Sequence, residues 1–530
     1  MFTKRKLNVA TKAIATSIAA AGLVACGGAD NPTLDTTKPV INYGEVRMLN
    51  AVADSPNLTV TIGGDTVFLG TQFGQAKPFF GTPVGEDLEI VIEASVPDHY
   101  RLDPSTGQPG LFKLNPDTQK QELDPDGEKL LESSAVLYKD TITITEGSRQ
   151  DIVVSGAVNV ANINDTTVEE GDTIYDLSTN ALTVSVADTA AAGITVGHFA
   201  NASSAVAVDV FASASEDCSA ITEAPIVNAL AYDATTVVAV DDLPEEYSAV
   251  CVRNDADNSL LYNTPVSALA DGMWISAIDN TSGVTGASAL ALTIQNGASA
   301  SVVYDEDDGA DIRAVNASQS NDPVDVQLSG TSIGDGALEF ATFTAGAANG
   351  PVNFASNTGA DDVAYQLDIE DAATDSILEK PVTDIALADG QTMTAIAYDF
   401  EVDEVTKSGA LLVSHDNRAV ATEGRLRVIH AAKAGAVDVY LNIQDGGTSV
   451  DLTEAGVEPS IAGFDTTDDT GYLSLEAGTY DLVVFEAGDE DRTTPLLSAT
   501  ITSAKGGIYT LVVTDDTATT VQAISLDDAI

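Results

Sequence analysis

The chain is short of positive charge. Its 530 residues carry 23 Lys and Arg against 81 Asp and Glu, a formal net charge of −58. So acidic a surface excludes nucleic acid and anionic lipid headgroups as partners of the folded part, because both need a cationic patch. Aromatic residues are sparse, and the single Trp, Trp274, opens an apolar strand, which leaves few aromatic platforms for a carbohydrate reader. Four His cannot populate four equivalent active sites, and His198 and His430 fall at different positions of the repeats described below. No nucleophile elbow, phosphate loop or Cys/His metal spacing occurs. Neither catalytic residues nor a cofactor is therefore assigned, and enzyme activity is not expected. The chain is 44% hydrophobic, normal for a globular core and too much for a disordered acidic tail. Such acidity with a folded core suits a salty habitat, where counterions screen self-repulsion.

What the chain has is repetition. Gly424–Ile443 reads as two strands: Leu426 and Val428, then Val437 and Val439, alternate at period two about a small-residue turn. The pattern recurs upstream at 45–62, 196–212 and 311–328. Aligned on the polar residue before the first Ala, the copies fall at Asn50, Asn201, Asn316 and His430, at intervals of domain size. A Gly leading into a strand follows in each, at Gly147, Gly272, Gly390 and Gly506. Between them lies an inward series: Leu88-Ile90-Ile92, Tyr247-Ala249-Cys251, Tyr365-Leu367-Ile369 and Tyr480-Leu482-Val484.

Short alternating strands with Gly, Asp and Asn turns and no helical period predict an all-β chain of four tandem antiparallel β-sandwiches, Ig- or transthyretin-like. The expected segments are 1–25, a signal; 26–44, a tether; 45–165, the first sandwich with an insertion at 95–138; 166–193, a linker with one candidate strand at 181–186; then sandwiches at 194–304, 311–420 and 424–530. Small, acidic or Gly-containing joins predict separate folding units on semi-flexible connections.

At the start, Lys4, Arg5, Lys6 and Lys12 precede an Ala-rich apolar run too short to span a membrane. The run ends Leu23-Val24-Ala25-Cys26, which resembles the lipobox of bacterial lipoproteins. The resemblance implies cleavage before Cys26, lipidation of its thiol and acylation of the new amino terminus, a multi-chain and therefore stable anchor. Gly27 stands where an Asp would retain a lipoprotein in the inner membrane, so the expected address is the outer membrane, on its periplasmic or its cell-surface face.

Three further groups are candidates. Cys218 and Cys251 are expected to pair in an exported protein, with Cys251 on the inward series; a buried free thiol at Cys251 is the alternative. Asp305, Asp307, Asp308 and Asp311 crowd the join between the second and third units. They are weak candidates for a structural Ca²⁺, and a solvated acidic linker is the stronger reading. A basic residue precedes each polar landmark by three (Arg47, His198, Arg313, Arg427), and Asp209, Asp325 and Asp438, with Thr59 in the first copy, sit mid-way along the second strand. A cross-strand pair on the solvent face is expected there rather than a ligand-facing pair.

The phrase RVIHAAKAGAVDVYLNI, with LEAGTYDLVVFEAG and GGIYTLVV after it, resembles the bacterial cell-surface domain of unknown function four-three-nine-seven. The fourth copy matches well; the first carries VRMLNAVADSPNLTVTIGG without the VDV; the middle two are more diverged. The resemblance implies a β-sandwich of envelope proteins and no accepted catalytic residues. The expected role is a lipid-anchored structural or adhesive envelope protein that meets other proteins or glycans, with a solute- or polysaccharide-binding lipoprotein as the alternative.

Overall fold

A computed structural model describes residues 42–528 except 98–131, 159–180, 189–191, 331–337, 340–343, 357–363, 372–375, 378–380, 445–451, 454–458, 517–520 and a few single or paired positions. The described chain is all-β, its only helical pieces being single 3₁₀ turns.

The fourth sandwich gives the plan. Its eight strands are Gly424–His430, Val437–Ile443, Ile461–Phe464, Asp469–Leu475, Gly478–Glu486, Leu497–Ser503, Ile508–Asp515 and Val521–Asp527. One sheet runs fourth–first–seventh–eighth and the other third–second–fifth–sixth. Neighbours are antiparallel except that the first strand lies parallel to the seventh, His430 opposite Val513. The same two orders and the same parallel pair recur in the other three quarters, except that in the third two short strands, Ser376–Ile377 and Val382–Ile385, share the place of the sixth strand beside Tyr365–Asp371. The described residues thus form four tandem β-sandwiches. The second sandwich adds an edge strand, Ser299–Val303. Ala181–Asp188, the candidate extra strand of a linker, is the eighth strand of the first sandwich, paired with Arg149–Ala157.

Alternation explains the layers. Leu426 and Val428 point into the core with Leu482, Val484 and Leu511, while Arg427 and Ile429 between them point the other way. The repeated Gly before the seventh strand has positive φ in all four copies, 73° at Gly147, 81° at Gly272 and 73° at Gly390 and Gly506. A side chain is disfavoured in that conformation, which is why the landmark is Gly.

Two registers differ from expectation. The carbonyls of Asn50, His198, Asn316 and His430 each accept a hydrogen bond from the approach to the fourth strand, from Gly74, Asp233, Gly346 and Thr467 respectively. His198, not Asn201, is therefore the second landmark, and it occupies the same position as His430. Each of these His Nε2 atoms faces a backbone carbonyl of the next loop, Val206 at 3.3 Å and Gly435 at 2.7 Å. Asn201 falls in a 3₁₀ turn just beyond. In the fifth strand of the second sandwich, Val250 and Val252 fill the core, and Cys251 lies on the opposite face in a satellite cluster with Phe211 and Ile221. A shift of one residue reverses every side chain.

The sandwiches are not independent beads. In each, the sheet holding the first and seventh strands is covered on both faces, by its own core and by a neighbour. Leu49 and Val153 of the first sandwich pack on Phe199, Trp274, Ile278 and Ala291 of the second. Ile396 and Tyr398 of the third pack on Ile429, Val512, Ile524 and Leu526 of the fourth. Matching positions meet across a pair: Arg47 Nη2 donates to Thr195 Oγ1 at 3.0 Å, and Thr195, three before His198, stands where the other copies have Arg. The connection between the third and fourth sandwiches then ties the pairs together. Ala421 donates to the Asp54 carbonyl at 2.8 Å and is buried in the first sandwich's core cluster. Asn417 Nδ2 donates to the Ser282 carbonyl at 3.3 Å. Residues 42–530 form one compact unit. Apolar interfaces and a buried connection hold it, where short polar joins predict loose linkers.

Candidate functional site

Cys26 lies outside the described residues, as does most of the 95–138 insertion. Cys218 and Cys251 are joined by a disulfide with Cα atoms 6.0 Å apart, on the outer face of the sheet. Asp305, Asp308 and Asp311 are buried, so this is not a solvated linker. Their carboxylates are occupied by protein donors. Ser288 Oγ donates to Asp305 at 2.6 Å, Ser288 N and Asn280 Nδ2 to Asp308 at 2.7 Å each, and Thr285 N and Oγ1 to Asp311 at 2.9 and 2.8 Å. Asp307 accepts from Asn263 Nδ2 at 3.2 Å. Among the described residues no group of three or more His, Cys, Asp or Glu is placed to hold a metal. Burial raises the carboxyls of Asp305 and Asp308 above their usual range. It also raises Glu306, pushed up to about 7 by burial and then by the charges of Asp307 and Asp305.

The periodic Arg and Asp do not meet. The Asp belongs to the outward sheet, where Asp438 accepts from Gly463 N and Gly488 N at 2.8 and 2.9 Å and Asp209 from Ala229 N at 2.7 Å. Both sit where the second strand's register with the third shifts, so they satisfy amides that the bulge frees. The Arg belongs to the paired sheet and is an interdomain residue. Arg47 holds Asp151 through Nε and Nη2 at 2.5 and 3.1 Å, between the rings of Phe79 and Trp274. Arg427 clasps Asp469 with the same two nitrogens, and Arg313 of the third sandwich reaches Asp528 of the fourth. Between them lies His415, whose Nδ1 is 2.9 Å from Tyr472 Oη; Tyr472 in turn donates to Asp528 at 3.0 Å. That leaves His415 donating from Nδ1 and accepting the Thr394 hydroxyl at Nε2, a neutral tautomer. Burial, then Arg313 and Arg427, press its pKa down to about 3.

One feature was not legible in the sequence. Where the sandwiches converge there is a crevice of about 490 Å³. The first sandwich contributes Asn57, Gln72 and Phe73, the second Thr281 and Tyr304, the fourth Tyr472 and Ser474. The connection contributes Asp416, Arg418, Glu423 and Arg425. Arg425 is internally committed: it bonds the Asp416 carboxylate at 2.8 Å and the Arg418 carbonyl at 2.8 Å and stacks 4.7 Å above Tyr472. Glu423 accepts from Ser474 Oγ at 2.7 Å. Arg418 differs. Its Nη1 donates to the carbonyls of Ala53 and Ser55 at 3.2 and 2.6 Å, and burial lowers its pKa. Among the described residues its Nε and Nη2 have no hydrogen-bond partner, and no carboxylate forms an ion pair with it. Nothing in the sequence marks Arg418, because the crevice joins loops from three sandwiches.

Residues 310–440 match the family described as Domain of unknown function (DUF4397). The match takes in the third sandwich and the first strand and part of the second strand of the fourth. No curated protein matches the chain.

Proposed function

We propose that the chain is a lipid-anchored cell-envelope protein of the outer membrane, structural or adhesive, that holds four sandwiches as one rigid head for protein or glycan contact. The other three sandwiches, with the strand order of the third, are read as further copies of the same domain. The observation that carries the reading is the pairing of sheets. Each first–seventh strand sheet is closed off by its neighbour, so the outward sheets and the loop ends are the surfaces left for partners. Leu23-Val24-Ala25-Cys26 and the unpatterned tether after it support attachment by lipid. Cys26→Ser should release the protein from the membrane fraction; a variant that still sediments with the outer membrane refutes the anchor. The alternative, a polysaccharide-binding lipoprotein, is favoured by the central crevice.

A further inference from the structure

We propose that the central crevice is a binding site for a hexuronate unit of an acidic glycan, with Arg418 as the carboxylate clamp. The inference rests on the glycan-contact reading above and specifies it. This chain uses Arg in a recurrent way. Arg47 and Arg427 both present the Nε–Nη2 edge to a carboxylate, Asp151 and Asp469. That edge matches the two oxygens of a carboxylate in a planar fork. Arg418 is fixed just as firmly, through Nη1 and two carbonyls of the first sandwich, yet its Nε–Nη2 edge has no protein partner among the described residues. In a chain with 81 acidic residues, an Arg held at the meeting point of three sandwiches presents that edge to a carboxylate from outside.

The rest of the wall suits a sugar. Phe73, 5.8 Å from the Arg418 guanidinium, and Tyr304 line the crevice and offer apolar ring faces to a pyranose. Asn57, Gln72 and Thr281 offer neutral donors and acceptors for its hydroxyls. The volume, about 490 Å³, lies in the range of sites for small ligands. The charges of Asp416 and Glu423 act on Arg418 from nearby, but their carboxylates are bonded elsewhere, Asp416 to Arg425 and Glu423 to Ser474, and neither occupies the Nε–Nη2 edge. The net charge of −58 opposes entry of any anion from a distance. Short-range recognition against long-range repulsion gives an unusual sign: affinity should rise with salt as the far field is screened.

The test uses the full chain in detergent, with digalacturonate and its methyl ester as probes in titration calorimetry. Digalacturonate should bind, and the ester, which has the same ring without the charge, should bind at least about tenfold more weakly. Digalacturonate affinity should increase between roughly 0.05 and 0.5 M NaCl. Arg418→Lys keeps the charge, loses the fork and should weaken binding about tenfold. Asn57→Glu breaks no side-chain bond of the described structure, adds a like charge to the wall, and should weaken binding comparably. It carries the test if Arg418→Lys misfolds. The proposal is overturned by no heat of binding, by equal affinity for the ester, by an unaffected Asn57→Glu, or by preference for a sugar phosphate over the uronate. Membrane retention is read separately through Cys26→Ser, so loss of binding with retention intact removes this site and leaves the envelope reading standing.

Discussion

Arg47→Ala offers the sharpest test of the paired-sheet architecture. Arg47 and Asp151 are 3% and 2% exposed, and the guanidinium also bonds Thr195 and sits 4.4 Å from the Trp274 ring centroid of the second sandwich. Truncation leaves the Asp151 charge buried without its cation, and empties the slot between Phe79 and Trp274. Breaking a buried pair this way costs about 3–5 kcal/mol. The chain has one Trp, and it lies in this interface, so its fluorescence reports the transition that matters in urea unfolding. Arg149→Ala is the control. Arg149 pairs with Glu45 at 2.6 Å two residues along the same strands, but the side chains are 42% and 45% exposed, and an exposed pair contributes about 0–1 kcal/mol. The double change Arg47→Met with Asp151→Leu should restore the midpoint or exceed it, since an apolar pair of similar volume replaces two desolvated charges. If Arg47→Ala shifts the Trp274 transition no more than Arg149→Ala does, the contact between first and second sandwiches is not a buried interface and the architecture argued from it fails.

Other outcomes follow from the same contacts. The fourth sandwich expressed as 424–530 should self-associate, because Ile429, Val512, Ile524 and Leu526 lose their cover, whereas 310–530 should be monomeric by light scattering; a monomeric 424–530 would contradict the pairing. Cys218 and Cys251 should resist alkylation in denaturant until reductant is added, and Cys251→Ser should lose roughly 4 kcal/mol from opening a loop of 33 residues. Burial, then Asp307 and Asp305, raise Glu306 to about 7 from its usual 4.5. A raised carboxyl contributes stability that is present below the unfolded value and lost as pH rises through the folded one. Glu306→Gln should therefore melt above the parent at pH 8 and with it at pH 4. His415 has the opposite sign: lowered to about 3 from 6.5, it stabilises above 6.5 and loses that contribution as pH falls through about 3, a slope that His415→Gln should flatten.

How much of this the sequence carried depends on which force placed each residue. Period-two alternation placed the strands because each sandwich must bury one face of each strand, and Leu426, Val428, Leu482 and Val484 do so. The landmark glycines were legible because a positive φ demands them. The face of Cys251 is ambiguous in the sequence because Tyr247-Ala249-Cys251 and Val250-Val252 both alternate, and pairing with Val208–Ser213 decides for the outer face. The equivalence of His198 with His430 is hidden in the sequence because a polar residue before Ala is a weak mark; the backbone bonds at that position are the strong one. Ile429 and Val512 alternate with core residues and would face solvent in an isolated sandwich. Only the presence of a second sandwich turns that face into an interface. The crevice lay beyond sequence reading altogether, since Phe73, Tyr304 and Arg418 are brought together by packing between sandwiches.

The scarcity of cations and the position of the Arg residues are two sides of one arrangement. Arg47, Arg313, Arg418, Arg425 and Arg427 all lie at contacts between sandwiches or on the connection that joins them. The acidic excess is therefore carried by the remaining surface, where like charges on neighbouring sandwiches repel and salt screens them. The buried pairs are shielded from that screening, because solvent ions do not reach Arg47 or Arg427. Raising salt should accordingly weaken the force that pushes sandwiches apart while leaving the clasps that hold them nearly unchanged. An arrangement of this kind gains cohesion with ionic strength, the reverse of a protein held by exposed ion pairs. That sign also accounts for an acidic chain being built on interdomain Arg rather than on Lys: a planar fork that fixes a carboxylate through two bonds keeps its geometry when buried, and Lys, a single strongly hydrated charge, does not.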